Sequence, residues 1–264
     1  MLRPLYVFAR EKVKIMADGP SLWIEKQSQA GQRVPLKYIS RVYLFGKVEI
    51  TGEALIKLAE NNISLTIMRV SGAGKAILLP FNRRLPKYHR MQRVILDSYR
   101  NLFRYLEWLK TYRSYFQLMT VRRFLKGFNN TWEIGEGDYK VYLMKLLSVD
   151  NKFINPVKKI NFSLISGLIA EEVTKAKLDP HVGGYYRRTN FAFLLDLAYL
   201  MEAVLDELVI LFFKQERWRN FLNGQEIENL NDEGVKNIIH RFENKKEELR
   251  DKVNKVIDDF FMLM

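Results

Sequence analysis

The sequence predicts an α+β protein. A small N-terminal mainly-β domain (residues 1–82) is followed by a larger all-α C-terminal domain (residues 83–264). Two observations predict this division. Over the first 80 residues, short runs rich in Val, Ile, Tyr and Phe alternate with Gly, Pro and Asp turn signals, as strands do. From about residue 85 the apolar residues recur instead at the three- and four-residue spacing of helices. A third observation, an apolar content of 48% in 264 residues, supplies enough material for a core and excludes general disorder.

The expected strands cover residues 4–9, 13–16, 22–25, 39–45, 63–68 and 76–79, with turns at Asp18-Gly19-Pro20, Ala30-Gly31 and Ser71-Gly72-Ala73-Gly74. One helix interrupts them. Thr51 suits its N-cap, and Ala54, Leu55, Leu58 and Ala59 form an apolar stripe that stops at Asn61-Asn62. In the second domain Val94, Ile95, Leu102, Phe103, Tyr105, Leu106 and Leu109 fit one or two long helices. Further helices are expected near 137–149, 160–177, 190–216, 231–249 and 250–262, with Pro180 and Gly183-Gly184 separating two of them.

The net charge is +13, and its placement says more than its size. Residues 81–127 hold 12 basic and 2 acidic residues, nine of the basic ones Arg. Arg pairs bidentately with phosphate and stacks on bases, and aromatic residues (Tyr99, Phe103, Tyr105, Trp108, Tyr112, Tyr115) are interleaved here. The segment therefore reads either as a nucleic-acid-contacting surface or as a helix pair with an aromatic core and a solvated basic face. Arg83, Arg84, Arg90, Arg122 and Arg123, with Arg187 and Arg188 further on, are the DNA-binding candidates. The chain has no Cys, which excludes disulfides, Cys-ligated metal and a Cys nucleophile. With no secretory signal and no charge-free window of 18 residues, a cytoplasmic protein with no membrane span is expected.

Two familiar patterns fail. Gly72-Ala73-Gly74-Lys75-Ala76 lacks the first Gly and the final Ser or Thr of a phosphate-binding loop. Asp138-Tyr139-Lys140 has no strand context for a restriction-type nuclease. The three His residues show no metal-ligand spacing. Two carboxylates are more informative. Asp196 lies in an apolar run, where an unpaired charge is costly, and Glu136 lies between Gly135 and Gly137 at a helix start. On these grounds alone they are either ligands or a core ion pair and a helix-start acid.

With these residues in place, the chain resembles the CRISPR-associated adaptation integrase and endonuclease family, the universal Cas "one" proteins. The resemblance spans nearly the whole length. The opening run Pro4 to Ala9, the run Ile39 to Gly46, and the segment from Val48 through Leu58 to Leu65 look like the family's first strands and helix. Gly135-Glu136-Gly137 with Tyr142, Leu178-Asp179-Pro180 with Gly183, Phe193 to Leu197, and Leu230 to Lys236 look like four later motifs. The resemblance implies a β domain that makes a homodimer, a helical domain that binds and cuts DNA, and a small Cas "two" partner. It implies Mg2+ or Mn2+ held by a Glu, a His and an Asp, with Glu136 and Asp196 as the metal-binding and catalytic carboxylates. The sequence departs at the third ligand. Tyr186 stands where the family has His, and a neutral phenol is a poor ligand for a hard cation. His181, five residues earlier, is a weak substitute. Lys158 stands where the family commonly has Asn, and the segment between Tyr186 and Asp196 looks short. The resemblance therefore implies either a spacer-acquisition integrase or an inactive, DNA-binding, dimeric scaffold.

Overall fold

A computed structural model describes residues 2–27, 29–69, 75–80, 85–125, 128, 134–215, 217–223 and 226–264. The chain separates into two compact units, Met1–Arg84 and Leu85–Met264. Mostly strands come first and mostly helices after, as the α+β expectation requires.

In the first unit, strands β1 (Arg3–Asp18), β2 (Ser21–Lys26), β3 (Gln29–Pro35), β4 (Ile39–Ile50), β5 (Ser64–Met68) and β6 (Lys75–Leu78) form one sheet in the order β3-β2-β1-β4-β5-β6. β1 pairs antiparallel with β2 but parallel with β4, and β4 pairs parallel with β5. The parallel β4–β5 step needs a crossover, and helix α1 (Gly52–Glu60) supplies it. The Thr51 hydroxyl accepts from the Ala54 amide at 3.3 Å, capping α1 as its sequence suggests. Ile15, Leu22, Leu44, Ala54 and Leu58 meet in the core. The two strands expected over 4–9 and 13–16 are one long strand with a register shift between Ala9 and Val13, where charged residues interrupt the apolar pattern. β3 has no apolar run because it is an edge strand with mostly exposed side chains.

The second unit contains α2 (His89–Asp97), α3 (Tyr99–Phe124), α4 (Glu136–Leu147), α5 (Asn151–Lys175), α6 (Ala192–Leu200), α7 (Glu202–Phe213), a short hairpin of β7 (Leu222–Asn223) and β8 (Glu226–Leu230), and α8 (Asp232–Phe261). Helix α5 is its axis. Val157, Ile160, Leu164, Ile165, Leu168 and Ile169 have no exposed surface, and α6, α7 and α8 pack around them. Ser98 ends α2 and caps α3, accepting from the Asn101 amide at 3.1 Å. The helix expected over 190–216 is two helices, broken at Met201, and the Tyr199 carbonyl beside that break accepts from Arg113. The two helices expected after residue 231 are the single helix α8, whose buried stripe runs on through Val253 to Phe260. Among the described residues no helix is long and apolar enough to cross a membrane.

Candidate functional site

Glu136 is the first residue of α4, where free backbone amides favour a negative side chain. Its carboxylate faces α3. Arg113 Nε donates to Oε2 and Arg113 Nη2 to Oε1, both at 3.1 Å, a two-pronged grip. Gln117, one turn further along α3, donates to Oε2 at 2.8 Å. Lys140, one turn along α4, stands 3.6 Å away. The Arg113 bond foremost, against the opposing effect of burial, holds the Glu136 carboxyl down at about 2. Glu136 is thus an ionised carboxylate with a fixed cation on it, 45% of its side chain still exposed.

Arg113 does more than hold Glu136. The nitrogen that reaches Glu136 Oε1 also donates to Glu202 Oε2 at 2.8 Å. Nη1 donates to the Tyr199 carbonyl at 2.6 Å, and the guanidinium lies 4.0 Å from the centre of the Tyr199 ring. Only 9% of the Arg113 side chain is exposed. Burial favours its neutral form, but the bonds to Glu136 and Glu202 outweigh that and raise its pKa. Behind Glu202, Lys158 bridges Glu202 (2.9 Å) and Asp206 (3.2 Å), and the Tyr139 hydroxyl donates to Asp206 at 2.8 Å. Burial pushes Asp206 up. Glu202 is pulled down, because Lys158 and then Arg113 overcome its burial.

Asp196 has a different setting. It lies on α6 with no exposed surface. Its Oδ2 accepts from the Tyr105 hydroxyl (2.7 Å) and from the amides of Gly184 (2.8 Å) and Tyr185 (3.1 Å). Its Oδ1 accepts from the Tyr186 amide at 2.8 Å. Three donors therefore crowd Oδ2 and one meets Oδ1, Tyr105 coming from α3 and the three amides from the loop before α6. Burial raises its pKa, and the Tyr105 hydroxyl and the three amides oppose that. Two glycines let the loop come this close. A Cβ on Gly183 would lie 2.6 Å from Asp196 Oδ2 and from the backbone of Ala192 and Phe193, and one on Gly184 would lie 2.6 Å from the Tyr105 ring.

Tyr186 gives its amide to Asp196, while its ring packs edge-on against Tyr185 at 4.9 Å. Tyr185 stacks on Tyr199 at 4.7 Å and 17°, so three phenols and the Arg113 guanidinium share one surface. Burial pushes the Tyr199 hydroxyl up to about 12 and raises Tyr186 as well, so both stay neutral at pH 7. His181 Nδ1 accepts from the Phe191 amide at 3.2 Å, and its ring stacks on Phe191 at 4.6 Å. It staples the loop at Phe191, whose backbone is left-handed with φ of 58°.

These donors do not fit a hard divalent cation as they stand. Such an ion takes six or more oxygens, with one or two carboxylates free to serve it. Here Glu136 and Glu202 are bound by Arg113, Asp206 and Glu202 by Lys158, and Asp196 by the loop. Among the described residues no three His, Asp or Glu side chains are grouped to hold an ion. Sequence reasoning singled out Glu136 and Asp196 but not the linked side chains Arg113, Gln117, Glu202 and Asp206. The available signal was the run of acids Asp196, Glu202 and Asp206 in an apolar stretch, which demands cations from elsewhere in the fold.

Of the basic candidates, Arg83 and Arg84 lie outside the described residues. Arg90, Arg122, Arg123, Arg187 and Arg188 are exposed. Arg123 pairs with Glu207 at 2.9 Å and Glu248 at 3.5 Å. At this end of α3 lies a cavity of about 450 Å³, walled by Tyr112, Tyr115, Phe116 and Met119 and rimmed by Arg122 and Lys255. The four wall residues follow the i, i+3, i+4, i+7 spacing of one helix face.

Comparisons with known proteins place the fold. A family model described as CRISPR associated protein Cas1 matches residues 5–109. No curated protein matches. The structure of TM1797, a CAS1 protein from Thermotoga maritima, is similar with a TM-score of 0.75 at 16% identity, over 97% of this chain and 95% of that one. A casposase bound to integration product is similar with a TM-score of 0.66 at 17% identity, over 92% and 82%. A chain of a Cas6-RT-Cas1–Cas2 complex is similar with a TM-score of 0.71 at 12% identity, over 98% of this chain and 36% of that one.

Proposed function

We propose that this chain, a divergent member of the Cas1 family, serves CRISPR spacer acquisition as a DNA-binding scaffold rather than as the strand-transferring enzyme. The observation that carries the reading is Asp196. The carboxylate that family resemblance assigns to the metal accepts four hydrogen bonds from its own surroundings and has no exposed surface. Tyr186, where the resemblance expects His, adds a neutral phenol, and His181 is bonded to Phe191. DNA as the partner is supported by the basic excess of residues 81–127 and by the aromatic cavity, whose rim carries Arg122 and Lys255 beside Arg123 and Lys252 paired with Glu207 and Glu248. A homodimer through the N-terminal domain and a small Cas "two" partner complete the reading. The likeness to a chain of a complex that contains Cas1 and Cas2 supports that second partner.

The second reading is an active integrase that uses Mg2+ or Mn2+ at Glu136 and Asp196. The likeness to a casposase bound to integration product favours it. A single experiment separates the two. Wild type is mixed with blunt and branched DNA, with and without Mn2+, across a salt series. Expected are binding that weakens steeply with salt and no cleavage or strand transfer, also in Tyr186→His. Neutralising Arg83, Arg84, Arg122 and Arg123 together should flatten the slope of log K against log salt by about 0.9 for each phosphate no longer neutralised. Strand transfer by the wild type that disappears in Glu136→Ala would establish the integrase instead.

A further inference from the structure

We infer that Arg113 is the resident cation of this carboxylate site. Its guanidinium bridges Glu136 and Glu202, and removing it turns those two carboxylates into a divalent-cation site. The inference deepens the scaffold reading and rests on it only for the site's biological meaning. The geometry stands by itself.

One nitrogen, Nη2, lies 3.1 Å from Glu136 Oε1 and 2.8 Å from Glu202 Oε2. Two carboxylates from different helices therefore converge on a single positive point, the arrangement a bridging metal ion imposes. A third oxygen, the Tyr199 carbonyl, is 2.6 Å from Nη1 of the same group. All three are hard oxygen donors, and α4, α6 and α7 each supply one. Hard oxygen donors with solvent access suit Mg2+ or Mn2+, which keep several waters of their own. Glu136 is half-exposed, so water reaches the place. What prevents metal entry is charge. A divalent ion placed within a few ångströms of a guanidinium meets strong repulsion, and Arg cannot shed its proton at any working pH. Lys158 lies deeper in the fold, between Asp206 and the other oxygen of Glu202, and leaves Glu202 Oε2 to Arg113.

The test is Mn2+ binding, read by electron paramagnetic resonance and calorimetric titration on the full chain. Wild type, Arg113→Ala, Arg113→Met and the double variant Arg113→Ala with Glu202→Gln are compared. Wild type is expected to bind Mn2+ at least tenfold more weakly than Arg113→Ala, which should take one ion per chain. The double variant should lose that ion. Arg113→Met keeps the stem over Tyr199 and should behave as Arg113→Ala. If either single variant folds only when Mn2+ is present, the inference holds. If both remain unfolded in Mn2+, or fold without gaining Mn2+ affinity, it is overturned. Wild type binding Mn2+ as tightly as Arg113→Ala overturns it too. None of these results depends on DNA, so a failure of the scaffold reading in the DNA experiment is told apart from a failure here.

Discussion

Replacing Asp196 by Asn separates a loop-holding carboxylate from a catalytic one. The best placement of the new amide keeps its oxygen where Oδ2 accepts from Tyr105, Gly184 and Tyr185. The NH2 group then faces the Tyr186 amide, donor against donor. One charge-assisted bond is lost, worth about 1.5–3 kcal/mol, and a buried N–H is left without an acceptor, at about 1–3 kcal/mol. The three remaining bonds become neutral and weaker. Against this, the neutral side chain no longer carries the cost of a buried charge, which raises the carboxyl in the wild type. The balance is a loss of about 3 kcal/mol. For a helical unit of this size, where each kcal/mol moves the midpoint by about 2–4 °C, the transition should fall by about 6–12 °C. Differential scanning calorimetry reads it, and DNA affinity measured well below the transition should be unchanged. A fall of less than about 2 °C would refute the loop-holding argument. Loss of a DNA-processing activity at unchanged melting would show that Asp196 is catalytic.

Two further outcomes follow from the same contacts. Gly183→Ala puts a Cβ 2.6 Å from Asp196 Oδ2 and from two backbone positions of α6, which cannot swing aside. It should lower the same transition by about 1–3 kcal/mol, read by chemical denaturation. In acid, Glu136 behaves as a group whose folded pKa is depressed, from an ordinary 4.5 to about 2. Its stabilisation is present above about pH 4.5 and is lost as pH falls toward about 2. Asp196 and Asp206, raised by burial, work the other way. Wild type should therefore exceed Glu136→Gln in stability at pH 7, and the difference should close between those two values. Parallel curves would remove the Arg113 pair from the stability balance.

The division into a β unit and a helical unit was legible because strand and helix periods differ and the change near residue 85 is abrupt. Thr51 was legible as a cap because capping is local. The break at Met201 was not, because nothing in the apolar run 191–213 interrupts the helical period, and the break becomes visible only once Arg113 is seen on the Tyr199 carbonyl. Glu136 stood out through its neighbouring glycines, but its partner sits 23 residues away on another helix, and basic residues are too frequent in that stretch for one to stand out. Arg113 was counted as one of nine Arg in a DNA-facing segment, yet it points into the fold and is one of that segment's most buried charged groups.

That difference in direction bears on how the basic segment works. Along α3, Arg113 and Gln117 lie one turn apart and face Glu136, whereas Tyr112, Tyr115, Phe116 and Met119 line the aromatic cavity and Arg122 stands at its rim. One helix therefore carries two jobs on adjacent stripes. Its inward stripe supplies the cation that balances Glu136 and Glu202, and its outward stripe offers aromatic and basic contacts. On the DNA-binding reading, a phosphate arriving at the outward stripe meets Arg122 and Lys255 at the rim of the cavity. It cannot recruit Arg113 without stranding two carboxylates, one of them shared with Lys158. On the DNA-binding reading, the charge count of the segment overstates its contacts by at least the one arginine that the carboxylate site keeps, and Arg113 should add nothing to the salt slope.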